Sequence, residues 1–222
     1  VAVAGGHTEV TGGIDRPILS GQMLGEVSKP DLVTPGGARE GDAVVLTKGM
    51  AVEATAVVAM EKERELLAHG VKQEEIDRCK SYIYAPGISV LPAARTACET
   101  VNVHAMHDPT EGGVAMGIWE LAEAAGKGME INGNELFCSA ETRRLCDAVG
   151  IDPFGAISSG GLLLCVSGSE IRCLLEGLKA AGIAARTIGT VREKGFGRKV
   201  RAGDGALRDL SCSARDEIAK LF

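Results

Sequence analysis

The sequence is poor in aromatic residues: one Trp, two Tyr and four Phe make up only 3% of its 222 residues. Its core must therefore be assembled from Val, Ile, Leu and Ala, which suits layered helices and strands better than a β-sandwich. Concentrated positive charge is missing as well. The formal net charge is −6, and only the Arg192–Arg201 segment gathers basic side chains. Binding along a phosphate backbone needs such a concentration, which argues against a nucleic-acid partner. No apolar run approaches the roughly 20 residues that a membrane helix needs, and no signal peptide is visible. The seven cysteines form no C-x-x-C pair, which argues against a zinc ribbon or a thioredoxin motif. Scattered through apolar and helical contexts, they read as reduced, largely buried thiols of a cytoplasmic protein.

What is present is 45% hydrophobic residues and 30 glycines, enough for one sizeable core with many backbone turns. The chain opens directly on Val1-Ala2-Val3-Ala4, which reads as an interior strand and as the later part of a longer protein. Gly5-Gly6-His7-Thr8-Glu9 follows as a turn, and Ile18–Val27 reads as a second strand. Pro30, Pro35, Gly36 and Gly37 mark a linker, so we divide the chain into residues 1–38 and 39–222. Beyond it, Gly41–Gly49 reads as turn, buried strand and glycine stop, and Met50–Ala68 as one long helix ended by Gly70. Shorter helices are expected over 72–82 and 91–100, and a strand over 101–106. Ser139 should cap a helix running to Val149, Leu162–Val166 is an apolar strand, and Ser169 should cap a helix over 170–181. Strands over 183–191 and 198–201 precede a terminal helix over 214–222. Strands alternating with helices predict a layered α/β fold with a mixed sheet.

The most informative stretch is His107-Asp108-Pro109-Thr110-Glu111-Gly112-Gly113, between an expected strand and an expected helix over 114–125. Asp108 or Thr110 can cap that helix, and Pro109 suits its first turn. Gly112 and Gly113 let a backbone or a ligand approach closely. A helix start stripped of side chains is a natural phosphate site, although the same glycines would equally serve tight packing.

The series GGHTE, GDAVVLTKG, HAMHDPTEGGVAMGIWELAEAAG and ISSGGLLLCV resembles the AIR synthase superfamily, in order and along the whole chain. That superfamily includes aminoimidazole ribonucleotide synthase, the hydrogenase maturation protein HypE, thiamine-monophosphate kinase and selenophosphate synthetase. The HDPTEGGVA segment is most similar to the HypE-like branch. The resemblance implies a two-domain, dimeric, ATP- and magnesium-dependent enzyme that phosphorylates a small-molecule acceptor, for example at a carbonyl or amide oxygen. This chain then corresponds to the last hairpin of the ATP-binding domain, residues 1–38, followed by the C-terminal domain, residues 39–222.

By the same resemblance Gly5, Gly6 and Thr8 line the nucleotide phosphates, with Glu9 on magnesium. Thr47, Thr110, Gly112 and Gly113 make further phosphate contacts, and Asp108 serves as a cap or a second magnesium partner. Lys48 is a candidate for neutralising phosphate charge, with Glu53 on the following turn facing the same region. His107 is a candidate general base. His104 and His107 lie three apart, on opposite faces of a strand, and should not share a metal. Ser158-Ser159-Gly160-Gly161 reads as a plain turn.

Three features depart from the family pattern. The acidic magnesium-binding run has no counterpart, Glu111 stands where many relatives are basic, and the chain ends Ala219-Lys220-Leu221-Phe222 rather than in a cysteine. Cys212, the nearest thiol, lies before the terminal segment. Two alternatives therefore stand beside the HypE-like reading. One is a non-catalytic phosphate-binding or dimerisation domain. The other is ring closure by a phosphoribosylformylglycinamidine cyclo-ligase, or a thiamine-phosphate kinase activity.

Overall fold

A computed structural model describes residues 2–222, so the expectation for Val1 lies outside the described residues. The chain divides into two compact units, Val1–Leu32 and Val33–Phe222. In the first, every described residue is exposed, and apart from a 3-10 turn at Lys29–Asp31 there is no helix or strand. Over the described residues 2–4 and 18–27 the expected strands do not form. A lone two-stranded pairing is marginal in water, and nothing buries Val3, Ile18, Leu19 or Leu24.

The second unit is built on a seven-stranded sheet. Its strands are β1 (Ala43–Thr47), β2 (Val103–His107), β3 (Gly128–Asn132), β4 (Leu162–Val166), β5 (Ala185–Arg192), β6 (Arg198–Arg201) and β7 (Leu207–Asp209), in the order β2-β4-β1-β5-β3-β6-β7. Only β3 and β6 pair in parallel; the other neighbours are antiparallel. β1 and β4 are interior strands, paired from Ala43↔Val166 to Thr47↔Leu162, and every residue of both is buried. Their near-continuous apolar runs are explained by helices on both faces.

Alternate side chains feed two cores. Val44, Leu46, Leu163 and Cys165 join one core with α1 (Val52–Glu61), α2 (Glu63–Ala68), α3 (Gln73–Lys80), α5 (Gly113–Ala125) and α6 (Ala140–Val149). Val45, Leu162, Leu164 and Val166 join the other with α4 (Leu91–Thr100) and α7 (Ile171–Ala180). Aliphatic side chains dominate both cores, as the scarcity of aromatics requires.

Several boundaries differ from expectation. The helix expected over 50–68 is two helices broken at Lys62, whose backbone leaves the helical region (φ −117°, ψ 20°). The Lys62 ammonium donates to the Leu221 carbonyl and stands 4.8 Å from the Phe222 ring centroid. Ser139 does cap α6, its hydroxyl accepting from Thr142 N–H at 2.9 Å. Ser169 does not cap α7; it belongs to a preceding 3-10 turn that Ser167 caps. The terminal helix is a 3-10 segment, Glu217–Leu221. The short edge strand β7 carried no sequence signal, because its three residues are all exposed.

Candidate functional site

Two helix starts, α1 and α5, are stitched together by one loop. β1 runs into a turn with three left-handed residues: Lys48 (φ 57°), Gly49 (φ 93°) and Ala51 (φ 58°). Non-glycine residues rarely hold this conformation, and surrounding bonds fix it here. Lys48 N–H donates to Ala184 O at 2.7 Å, Met50 N–H to Phe137 O at 2.8 Å and Ala51 N–H to the Ser158 hydroxyl at 2.8 Å. Ala54 N–H, in the first turn of α1, donates to Ile157 O at 3.2 Å. On the other side, Ser158 N–H donates to Thr110 O at 3.2 Å, and Ala115 N–H to Phe154 O at 3.0 Å. Residues 154–158 thus hold the beginnings of α1 and α5 in fixed relation.

The α5 start differs from its expected form. Neither Asp108 nor Thr110 caps it; the helix begins at Gly113, behind Gly112 (φ 75°) in the N-cap position. A carboxylate from the far end of the chain takes that role. Asp216 Oδ2 accepts from Gly112 N–H at 2.6 Å, and Oδ1 accepts from Ile157 N–H at 3.1 Å and Ile218 N–H at 2.9 Å. The helix start therefore does hold an anion, supplied by the chain itself. Gly113 serves packing: it is buried, and a Cβ there would lie 2.6 Å from the carbonyl oxygens of both Phe154 and Ala156. Gly117 lets α5 close on Pro109 and Leu163, 2.7 Å and 3.2 Å from a Cβ at that position.

A cavity of ≈ 590 Å³ opens beside this turn, walled by Glu111, Gly112, Glu120, Ile157 and the C-terminal residues around Arg215 and Asp216. His107 Nε2 lies 2.8 Å from Glu120 Oε2 at the rim, so this imidazole is engaged by a carboxylate. His104 has a different partner, lying 2.9 Å from both carboxylate oxygens of buried Asp42. Arg39 Nη1 is 3.1 Å from the other ring nitrogen of His104.

The remaining expected site residues fall as follows. Thr47 is fully buried and its hydroxyl accepts from Leu162 N–H at 3.1 Å, so it stitches β1 to β4 and does not face a ligand. Lys48 donates from Nζ to Gly87 O at 2.8 Å and Ser89 O at 2.9 Å, which ties down the 87–89 loop. Burial pushes its ammonium below the ordinary lysine value. Glu53 has one buried carboxylate oxygen with no hydrogen-bond partner among the described residues. Thr110 and Asp108 are exposed on the loop before α5. Gly5, Gly6, Thr8 and Glu9 lie in the first unit, all exposed. Cys212 Sγ is 3.5 Å from Ala115 O, and burial pushes its thiol up, which disfavours the nucleophilic thiolate.

Magnesium finds no built site: among the described residues no three His, Cys, Asp or Glu side chains are gathered for a metal. Exposed Glu9 and Asp108 do not fit one as they stand. Ser158, Asp216 and the Asp42–His104 pair had no sequence signal as partners, because each contact joins residues far apart in the chain.

A layered mixed sheet with a helix start that holds the Asp216 carboxylate defines an α/β domain. The chain belongs to the AIR synthase related protein, C-terminal domain family, which it matches over residues 39–200. It is 26% identical over 199 residues to carbamoyl dehydratase HypE of Cupriavidus necator, covering 88% of this chain and 53% of that protein. The fold matches the crystal structure of HypE from E. coli with a TM-score of 0.67 at 20% identity, covering 86% of this chain and 56% of that one. It also matches the structure of the hydrogenase maturation protein HypE in complex with ATP, with a TM-score of 0.61 at 17% identity, covering 86% and 56% of the two chains. The chain spans about half the length of the curated relatives it matches. No described helix is long and apolar enough to cross a membrane.

Proposed function

We propose that this chain is the C-terminal portion of an ATP-dependent, HypE-like enzyme that activates a carbonyl or amide oxygen of a small acceptor by phosphoryl transfer. Residues 39–222 form the second domain of that enzyme, and residues 1–38 the end of its nucleotide-binding domain. The observation that carries this reading is the convergence of Gly112 N–H and Ile157 N–H on one anionic group at the start of α5. Phosphoryl transfer needs positioning and charge stabilisation more than covalent chemistry, and preset N–H groups supply both. Thr110 adds an exposed hydroxyl on the same loop. Gly5, Gly6 and Thr8 provide the corresponding turn on the nucleotide-binding side, and the assembled enzyme is a dimer.

The test is a calorimetric titration of the chain with ATP and Mg²⁺, repeated on Glu111→Lys. Glu111 lines the cavity and is exposed, so replacing it adds a cation without disturbing the core. Saturable binding that tightens several-fold in the variant supports the reading. A folded chain that binds no nucleotide in either form overturns it. A second reading, a domain that keeps the fold without turnover, draws on one observation: Asp216 already fills the anion position.

A further inference from the structure

We propose that the pocket between the C-terminal end of α5 and the loop joining β5 to β6 binds a single phosphate group, held by Lys127, Lys194 and Arg198. The pocket is independent of the start of α5, from which it is separated by the 13 residues of that helix, about 20 Å.

The Arg192–Arg201 segment is the basic concentration of the sequence, and its cations are unequally used. Arg192 and Arg201 share the Glu130 carboxylate, and Lys199 pairs with Asp209. Arg198 pairs with exposed Glu123, and its guanidinium carbon stands 4.5 Å from the Trp119 ring centroid, which steadies the group from one face. Lys194 has no ion pair among the described residues, and neither has Lys127, which follows α5. Lys127, Lys194 and Arg198 meet around a cavity of ≈ 150 Å³, where Gly126 and Gly197 add no side chain to fill the space. Glu123 is the one carboxylate that lines it, so three cations face one anion, a surplus of two in a chain whose net charge is −6. A phosphate monoester carries close to two negative charges near neutral pH and matches that surplus, whereas a carboxylate brings one.

A second observation also calls for an acceptor. Arg198 Nε is buried and has no hydrogen-bond partner among the described residues. A buried donor without an acceptor is costly, and a phosphate oxygen drawn in beside the guanidinium supplies one, in the two-bond geometry that arginine favours. The carbonyl groups at the end of α5 would otherwise repel an anion. Here they are engaged: Gly126 N–H donates to Glu123 O at 3.1 Å, and Lys127 N–H to Ala122 O at 3.0 Å. The ligand class is a phosphate group, free or carried by a small ester.

Titration of the full chain with inorganic phosphate at pH 8, followed by amide NMR, tests this. Saturable shifts should appear at Gly126, Lys127, Lys194 and Gly197, read apart from any at Gly112 and Ile157. Lys127→Ala and Lys194→Ala should each weaken that binding about fivefold. Neither lysine has an ion pair to lose, so both variants should fold. Lys72→Ala removes the same charge from an exposed position at the start of α3 and should leave the binding unchanged. Tighter binding of glycerol phosphate than of inorganic phosphate assigns the pocket to an ester, and the reverse order to the free ion. The proposal is overturned if these four amides show no saturable shift, if both lysine variants bind as the wild type does, or if acetate binds as tightly as phosphate.

Discussion

A Cβ placed on Gly113 would stand 2.6 Å from the carbonyl oxygen of Ala156, on a backbone already at φ 64°. The glycine that most resembles part of a phosphate loop is thus a packing glycine, and its neighbour Gly112 presents its N–H to an anion. Gly113→Ala should cost about 2–4 kcal/mol, combining left-handed strain with overpacking against backbone. Gly150→Ala, at φ 72° with nothing within 4 Å of the added atom, should cost only about 1 kcal/mol. Denaturant unfolding of the two variants compares them, and equal losses would contradict the packing role.

The Asp42–His104 pair should be a structural contact with a fixed tautomer. An arginine nitrogen can only donate, so the His104 nitrogen facing Arg39 accepts and the one facing Asp42 carries the proton. Nitrogen-detected NMR near neutral pH should show Nε2 unprotonated. Asp42→Ala should lose about 2–3 kcal/mol, since it strands a buried ring N–H and the Arg39 amide. A loss near zero would mean that water replaces the carboxylate.

Thiol reactivity should sort by burial. Burial pushes the Cys79, Cys146 and Cys165 thiols up to about 12, so they present almost no thiolate at pH 8. Cys98 and Cys173 are exposed. A disulfide reagent added to the native protein should modify these two first, and reach Cys79, Cys146 and Cys165 only on unfolding. Early labelling of Cys165, buried on the interior strand β4, would contradict the register of β4.

Acid should loosen the C-terminal segment. Burial alone would raise the Glu217 carboxyl, but Lys220 at 2.6 Å and the Asp152 N–H hold it below its ordinary value. A carboxyl lowered by folding contributes stability above its unfolded value, near 4.3, and that contribution fades as pH falls through the folded value. Amide exchange at Asp152 and Glu217 should therefore accelerate below about pH 4. Glu217→Gln should remove this pH dependence.

Much of the fold was legible because local rules and global packing agree. Leu162–Val166 and Ala43–Thr47 are buried throughout because both faces of their strands are covered, and Pro92 and Ser139 mark helix starts where they stand. The expectation failed where a local pattern lacked its partner. Ile18–Val27 reads as a strand interrupted by Gly21 and Gly25 but stays exposed, since a strand needs a neighbour to bond to and a face to bury. The candidate site was half legible. HDPTEGG located the helix start, but the cap came from Asp216, 104 residues away from Gly112. Thr47 read as a ligand contact and is a buried stitch, because strand ends and loop starts share the same small polar residues.

The most direct measurement is an amide NMR map of the chain as inorganic pyrophosphate is added. The account predicts that the largest shifts fall on Gly112 and Ile157, distant in sequence but adjoining one anion. Shifts confined to other surfaces, with Gly112 and Ile157 unmoved at saturation, would contradict it.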